Sequence, residues 1–412
     1  MKKSSLKALL AGTVAAGLMS TTAFAADLDV EPAKEYVEVG SFKGSILLPG
    51  TGISFKVGGY TKGDVIFNFE DHEDNETSFD TLGDQGTGGD RVRFHALQSR
   101  LNFDARTTTD LGSARAFLEL DLFGGGGTES FSNSANPRLR QAFAELGIES
   151  LGGSLLVGQS WSNFGDLNSY PGGLDFAGPQ SVSFLRQAQV RWTQTLSDTL
   201  RLSIAAENPE FLGDASGPDN GLDSVPDFTA ALRGKHSFLG GGTFSVSGVV
   251  RFLNVDNTNN PTLSDDTAVG YGFQVGTTIN LTDKTSLQAQ ATYGDGIGRY
   301  IFTFTPAAFE GVNGDLETIR QFGTAIGLTH KWTDKVRSTA IYGYGSNLEG
   351  ALADGGPTGE GTRSTQFASL NLIYSPRGNI NLGVEGTYGT EDFTDGTSAE
   401  AFRLQTSLQF TF

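Results

Sequence analysis

Residue-by-residue alternation of apolar and polar side chains is the feature that most restricts the fold of this chain. From Ile53 to Phe67, every second residue is apolar or small, and the residues between them are mostly polar or charged. A period of two residues is typical of a β-strand with one apolar face. The pattern recurs in sixteen segments, the first at 52–69 and the last at 401–412. The sequence therefore predicts an all-β chain.

The connections between these strands alternate in length, which predicts how the strands are arranged. Even-numbered strands are followed by short turns, as expected for an antiparallel up-and-down sheet with its turns at one rim. An open sheet of this size would leave two edges and an apolar face in water, so we expect closure into a barrel. Odd-numbered strands are followed by long loops, at 70–90, 124–138, 163–185, 208–225, 253–267, 296–321, 346–365 and 390–400.

The apolar face of such a barrel needs lipid, because no residues remain for a core outside it. A sixteen-stranded barrel is too wide for side chains to fill and keeps an aqueous lumen. The predicted fold is a 16-stranded antiparallel transmembrane β-barrel with short periplasmic turns and long extracellular loops. Gly and Pro in loop 163–185 make it the candidate to fold inward and constrict the lumen, although turn residues do not report direction and an outward loop stays open.

The N-terminus predicts export. Three of the first seven residues are lysines, an apolar run covers 8–19, and Ala23-Phe24-Ala25 matches an A-x-A cleavage site. A membrane anchor would need about 20 apolar residues, and this run is shorter. We predict location in the outer membrane of a Gram-negative cell. The predicted parts are 1–25, a signal peptide; 26–51, a short periplasmic N-terminal segment; and 52–412, the barrel.

Composition excludes several classes of function. The chain has no Cys, so disulfides and thiol catalysis are ruled out, and its net charge of −18 argues against nucleic acid. Membrane lipase or protease chemistry would need a Ser, a His and an acid at the lipid boundary. His330 is the one candidate His, and no matching Ser and Asp are evident. We therefore predict no enzyme, no cofactor and no metal.

Charge is distributed unevenly along the chain. The eight predicted loops contain 28 of the 47 acidic residues and only four basic ones. Loop 70–90 is the most acidic; it is either a solvated loop or a contact for divalent cations or lipopolysaccharide. Most other basic residues lie on polar strand faces, where they must point into the lumen because a lipid-facing charge costs about 2–4 kcal/mol. Wall acids such as Glu119, Asp121 and Glu207 would neutralise some of them.

The last strand carries a further pattern. Phe402, Leu404, Leu408, Phe410 and the final Phe412 alternate with polar residues. This ending resembles the C-terminal signal read by the barrel assembly machinery, and the alternative is an ordinary closing strand. We predict Phe410 and Phe412 as the assembly signal.

Several motifs resemble the DcaP-like family of outer-membrane porins. The resemblance implies a homotrimer that passes small anions, including dicarboxylates. It also implies that Arg100, Arg186 and Arg191 are wall or constriction cations, and that Leu174, Asp175, Phe176, Ala177, Gly178 and Pro179 belong to an inward loop. The motifs that carry it are Gly58-Gly59-Tyr60, Gln98-Ser99-Arg100, Gly158-Gln159-Ser160-Trp161-Ser162-Asn163-Phe164, the segment 174–179, Arg186-Gln187-Ala188-Gln189-Val190-Arg191-Trp192-Thr193 and 294–300.

These observations favour a porin for passive diffusion of small hydrophilic solutes, particularly organic anions. A weakly selective general porin, or an adhesion barrel whose acidic loops bind a surface, remains the alternative. The expected partners are outer-membrane lipid and lipopolysaccharide, the barrel assembly machinery, small anionic solutes and two further copies of the chain. The residues expected to form a cationic constriction against loop 163–185 are Lys62, Arg100, Arg115, Arg191 and Arg201, together with Arg186.

Overall fold

The computed structural model describes most of the barrel and part of its loops. No helix among the described residues is long and apolar enough to cross a membrane. The predicted signal peptide and nearly all of loop 70–90 lie outside the described residues. Those residues are 37–70, 90–124, 134–210, 221–257, 265–302, 304, 307–310, 315–348 and 362–412.

Sixteen strands form the barrel, and we number them in chain order. Strand β2 is interrupted at 96–99. Short strands also occur at Ile46–Leu47, Ala308–Glu310 and Leu316–Thr318. The barrel strands are β1 Ser54–Glu70, β2 Arg91–His95 with Arg100–Thr109, β3 Gly112–Gly124, β4 Asn136–Ile148, β5 Gly153–Trp161, β6 Arg186–Ser197, β7 Leu200–Glu207, β8 Asp227–His236, β9 Gly242–Val255, β10 Asp266–Asn280, β11 Thr285–Asp295, β12 Arg320–Lys331, β13 Val336–Leu348, β14 Thr362–Arg377, β15 Ile380–Phe393 and β16 Ser398–Thr411.

The sheet closes on itself through its first and last strands. Each strand pairs antiparallel with the next, and β1 pairs with β16 from Tyr60↔Thr411 to Glu70↔Ala401. The last residue extends this ladder: the Phe412 amide donates to the Gly59 carbonyl at 3.1 Å, and the Gly59 amide donates to the Phe412 carbonyl at 3.3 Å. The prediction of a closed sixteen-stranded antiparallel barrel is confirmed.

The two faces of the sheet have opposite polarity. Outward side chains such as Phe273 and Leu370 are about three-fifths exposed, at 61% and 62%, whereas the inward Gln274 and Asn371 are buried at 0% and 2%. A globular protein would show the reverse, with apolar groups inside. The outer face is therefore suited to lipid and the inner face to water.

One predicted long loop is a tight turn in the structure. We expected a loop over 390–400, but β15 continues to Phe393 and β16 starts at Ser398. The four residues between them form a compact turn, in which the Asp395 carboxylate accepts from the Thr397 amide at 2.8 Å and Gly396 has φ +88°. Asp and Gly in this order favour a hairpin turn, so the acidic residues near it belong to paired strands.

The described part of the N-terminal segment folds against the rim that carries the short turns. Ile46–Leu47 pairs with the start of β1, and the Ser41 amide donates to the Ser54 hydroxyl at 2.8 Å. The Phe42 ring lies 4.2 Å from the Arg106 guanidinium, which is close enough for a cation–π contact. The segment is thus attached to the wall of the barrel at this rim.

Removing the terminal aromatic residue tests the expected assembly signal. We expect Phe412→Ala to lower the amount of folded barrel in the outer membrane while keeping the two backbone hydrogen bonds to Gly59. Because only the side chain changes, the closing ladder is retained. Heat-modifiable mobility in gel electrophoresis measures the folded fraction. An exposed aromatic elsewhere on the outer face provides the control, Phe273→Ala, and equal yields for both variants would contradict the assignment.

Candidate functional site

The connection between β5 and β6, residues 162–185, turns into the lumen, and we call it the inner loop. Its middle reaches the far wall, where the Glu385 carboxylate of β15 accepts from the amides of Leu174 at 2.9 Å and Asp175 at 3.0 Å. The Asp175 carboxylate pairs with Arg403 of β16 at 2.7 Å, with both side chains fully buried. The prediction of an inward-folded loop is confirmed.

The start of the inner loop is fixed by a second group of side chains. Arg233 of β8 donates to the carbonyls of Asn163 at 2.6 Å and Gly165 at 2.8 Å. The Glu207 carboxylate of β7 accepts from the Ser162 hydroxyl and the Asn163 amide, both at 2.7 Å. Charged hydrogen bonds to backbone groups are stronger than neutral ones, so they hold the loop against the wall.

Glycines on the inward face of the wall leave room for the inner loop. A Cβ at Gly343 of β13 would lie 2.6 Å from the Cβ of Pro179, and a Cβ at Gly327 of β12 would lie 2.6 Å from the Cβ of Pro171. Real Cβ atoms do not approach so closely, so any other residue would displace the loop. The close seating of the loop therefore depends on glycine at these positions.

Internal hydrogen bonds give the tip of the inner loop a defined shape. The Asp175 carboxylate accepts from the amides of Ala177 at 3.0 Å and Gly178 at 3.2 Å, and Gly178 has φ +63°. The Tyr170 hydroxyl donates to the Ala177 carbonyl at 2.5 Å. Desolvation, with a smaller effect from the carboxylates of Asp175 and Glu385, raises the pKa of Tyr170. Its hydroxyl therefore keeps its proton and remains a donor.

Lys62, one of the expected constriction residues, is a support for the inner loop. Its ammonium group donates to the Leu174 carbonyl at 2.6 Å and lies 3.2 Å from the Asp64 carboxylate. The side chain is only 3% exposed. Lys62 thus holds the loop tip, and its ammonium charge is neutralised by Asp64 within the wall.

Three other expected constriction residues lie apart from one another. Arg115 forms a two-point ion pair with Asp104, at 3.0 and 2.9 Å. Arg191 makes a long contact of 3.4 Å with the Trp161 carbonyl. Arg201 is exposed near the β6–β7 turn, where it pairs in register with Arg233. The structure does not gather Arg115, Arg191 and Arg201 around the tip of the inner loop.

Arg138 and Arg140 contact Phe176 at the tip of the inner loop. Arg100 and Arg186 lie close enough to interact electrostatically with Arg140, and we call these four residues the arginine cluster. Arg140 of β4 donates to Glu119 at 2.8 Å and to Asp121 at 2.9 Å, and it is 1% exposed. Arg138 binds Asp121 through two hydrogen bonds of 3.0 and 2.8 Å. These two arginines therefore share Asp121, and Arg140 also binds Glu119.

Arg100 and Arg186 have no carboxylate partner among the described residues. Arg186 lies over the Trp161 ring at 5.0 Å, and Arg140 approaches the same ring at 5.8 Å. The Arg100 guanidinium lies 5.3 Å from the centre of the Tyr60 ring. Leu101 pairs with Leu120 on the next strand, so the backbone of Arg100 lies beside that of Asp121. Aromatic contacts attract a guanidinium without removing its charge. The arginine cluster therefore contains four cations and two carboxylates, an excess of two positive charges.

Phe176 joins the inner loop to the arginine cluster. Its ring centroid lies 4.3 Å from that of Phe123 and within 5.3 Å and 5.8 Å of the guanidinium groups of Arg138 and Arg140. The loop tip is thus anchored to β15 and β16 on one side and touches the arginine cluster on the other. Solutes that pass here meet guanidinium groups and aromatic rings.

Sequence reasoning singled out Arg100 and Arg186 but did not select Arg138 and Arg140. A bulge in the β3–β4 ladder between Glu119 and Leu120 places Arg140 in the lumen beside Gln141. The available signal was two arginines spaced by two residues opposite two acids with the same spacing, Glu119 and Asp121. That spacing puts all four groups on one face of paired strands.

Comparisons with known proteins agree with this architecture. The model of a family described as "Porin subfamily" matches residues 26–400. The chain belongs to the porin subfamily. Porin Omp2b of Brucella melitensis is 27% identical over 304 residues, covering 70% of this chain and 74% of that protein. This protein is therefore an outer-membrane porin of Gram-negative type, a passive channel rather than an enzyme.

Solved structures show the same barrel. The outer-membrane channel DcaP of Acinetobacter baumannii superposes with a TM-score of 0.77 at 25% identity, over 91% of this porin and 100% of that chain. An anion-selective porin from Comamonas acidovorans superposes with a TM-score of 0.59 at 13% identity, over 87% of this porin and 100% of that chain. These similarities support the resemblance that the sequence motifs suggested.

A side chain at Gly343 is expected to displace the inner loop. Gly343→Val would place methyl groups against Pro179 and the Ser181 hydroxyl, and overpacking of this kind costs about 1–3 kcal/mol, which loop movement relieves. We expect higher single-channel conductance in a planar bilayer.

A matched glycine on the outward face provides the control for this variant. A Cβ at Gly63 of β1 meets nothing within 4 Å. Gly63→Val should therefore conduct like the parent porin. Equal conductance for Gly343→Val and the parent, with both proteins folded by heat-modifiability, would contradict the glycine-seated loop.

Proposed function

We propose that this porin favours small organic anions, dicarboxylates among them, and that the arginine cluster selects them. The observation that carries the proposal is the pair of guanidinium groups of Arg100 and Arg186, which have no carboxylate partner among the described residues. Their charge is available to a passing solute. A porin with the same barrel fold is described as anion-selective, which supports the proposal.

Two available guanidinium groups suit a solute with two carboxylates. Each group can donate two parallel hydrogen bonds to one carboxylate, the arrangement that arginine and carboxylate groups prefer. A dianion can engage both groups, whereas a monoanion engages one. Because both side chains are partly exposed on the wall of an open pore rather than enclosed in a pocket, their attraction increases local concentration without trapping the solute.

The net charge of −18 does not oppose this preference. Several acids of the lumen are already engaged: Glu119 and Asp121 by Arg138 and Arg140, and Asp175 by Arg403. Glu385 accepts from two loop amides. A weakly selective porin is the second candidate. The observation that favours it is that arginines on β2 to β4 are neutralised by carboxylates of the same wall.

Removing the two available charges tests the proposal. We expect Arg100→Gln combined with Arg186→Gln to lower the chloride-to-potassium permeability ratio by about fivefold per charge, because a unit charge at 4 Å in water contributes about 1 kcal/mol. The reversal potential of purified mature protein under a KCl gradient measures this ratio. The same gradient made with a dicarboxylate salt reports on organic anions.

The control is an arginine outside the lumen. A register shift at the end of β14 pairs Arg377 with Ile380, which turns it to the outward face. Arg377→Gln removes one positive charge and should leave the reversal potential unchanged. Cation selectivity of the parent porin, or no shift in the double variant, would overturn the proposal.

We further propose a homotrimer, in line with the family resemblance, and assign one contact face. Ala105, Ala116 and Ala144 lie side by side in register on the outward face of β2, β3 and β4, and Val157 of β5 follows. They line a shallow apolar groove of about 380 Å³. Short side chains let a neighbouring barrel approach closely.

A bulky residue in this groove is expected to separate the subunits. Ala116→Trp should shift the native protein from trimer to monomer, as measured by size-exclusion chromatography with light scattering. Ala289→Trp, on the outward face of β11, is the matched control and should stay trimeric. A monomeric parent porin would contradict the assembly, and a trimeric Ala116→Trp variant would contradict this contact face.

We also propose how the porin is exported and assembled and what surrounds it. Residues 1–25 act as the export signal, and residues 26–51 remain in the periplasm. Phe410 and Phe412 are presented to the barrel assembly machinery. Both side chains are about half exposed on the outward face, at 46% and 51%. Outer-membrane lipid and lipopolysaccharide surround the barrel, and the acidic long loops face the lipopolysaccharide.

A further inference from the structure

The lumen wall on the short-turn side of the inner loop carries a second group of basic side chains. Arg201 of β7 and Lys235 of β8 are exposed there, next to the turns at 198–199 and 237–241. Lys235 lies two residues beyond Arg233, whose guanidinium group supports the inner loop from within the lumen. Because alternate residues share a face, Lys235 also points into the lumen.

Strands β12 and β13 contribute two more cations beside the short turns of the same rim. Lys331 of β12 pairs in register with Arg337 of β13. Lys331 lies an even number of residues from Gly327 on β12, and Arg337 lies an even number from Gly343 on β13. Both therefore share the inward face of these glycines, which contact the inner loop. Arg337 donates to the Ser375 hydroxyl at 3.1 Å, and no ion pair involves Lys331 in the described part of the chain.

The adjoining wall of β1 to β3 contains a partly neutralised group. Arg106 and Arg115 both bind Asp104, and Arg106 keeps 42% of its side chain exposed. Lys56 is the cross-strand neighbour of Asp104, and Glu145 is the cross-strand neighbour of Arg115. Together with the four cations described above, seven basic groups face two carboxylates on this wall. The turns of the same rim add five acids and two lysines, which leaves the mouth an excess of two positive charges: Asp110, Glu149, Asp198, Asp283, Asp334, Lys284 and Lys335.

The other mouth of the pore has the opposite charge. Apart from the inner loop and the hairpin within 390–400, the six remaining connections assigned to that rim contain 22 acidic residues and four basic ones. Asp256, Asp265 and Asp266 lie together in one recess at this rim. The fixed charge of the pore therefore changes sign along its axis, from acidic at the long loops to basic on the lumen wall beside the short turns.

We infer that the basic groups around the short-turn mouth form a cationic vestibule, a second charge-selecting region separate from the arginine cluster, and that the pore rectifies current because of it. A charged mouth concentrates ions of opposite sign. When the long-loop side is positive, cations enter through the acidic mouth and anions enter through the vestibule, so both accumulate. At the reverse polarity both are depleted, and the current is smaller.

Salt concentration provides the first test. The Debye length is about 10 Å in 0.1 M salt and about 3 Å in 1 M salt, so the vestibule acts across the mouth only in dilute salt. In symmetric 0.1 M KCl we expect the current at +100 mV on the long-loop side to exceed that at −100 mV by about 1.5-fold or more. In 1 M KCl the ratio should return to about 1.

The absence of Cys from the chain allows a reversible change of one charge. In Arg201→Cys, an anionic methanethiosulfonate reagent added on the short-turn side should reduce the current ratio further. A cationic reagent of similar size should restore it. Side-specific reaction also reports which way the channel is inserted. Arg377→Cys, on the outward face, is the matched control and should not respond to either reagent.

The outcomes separate this inference from the proposed anion preference. Symmetric current in 0.1 M KCl, or equal effects of the two reagents on Arg201→Cys, would overturn the vestibule even if the reversal potential shows anion selectivity. A rectifying parent channel that responds oppositely to the two reagents, but shows cation selectivity, would support the vestibule and refute selection by the arginine cluster.

Discussion

The barrel depends on the lack of hydrogen-bonding partners in the membrane interior. Backbone amides and carbonyls in hydrocarbon must bond to one another, so every strand needs a neighbour on each side. The ladder between β1 and β16, extended by the two bonds of Phe412 to Gly59, meets this need for the terminal strands. The same medium excludes charge from the outer face. Closure therefore places nearly all ionisable groups of the strands inside one confined wall.

Inside that wall, charges serve two different purposes. One group of charged side chains binds the inner loop, either at backbone groups or at the buried Asp175: Lys62, Arg233, Glu385 and Arg403. Buried pairs of this kind do not add much stability by themselves, but removing one partner costs several kcal/mol because the other is left alone. They therefore fix the path of the loop. Guanidinium groups that lie on aromatic rings, such as Arg186 on Trp161, have no carboxylate partner among the described residues.

The sequence was sufficient for the architecture because alternation and connection length are local properties. Each strand shows its faces within a few residues, and the hairpin at 394–397 was missed only because Asp395 and Gly396 were read as part of a loop. The site was harder to predict because its contacts are distant in sequence. Lys62 meets a carbonyl 112 residues away, and Arg403 meets a carboxylate 228 residues away. Arg140 was missed because its direction depends on a bulge in the ladder.

The closing ladder also brings the start of β1 and the end of β16 to the same rim, on neighbouring strands. The pairing of the strands therefore does not require that the chain begin at β1 and end at β16. A short covalent linker from Phe412 to the beginning of β1 would make the chain circular without crossing the lumen. New termini opened in a long-loop connection would then give a permuted chain with the same pairing, and they would move the free ends from one side of the membrane to the other.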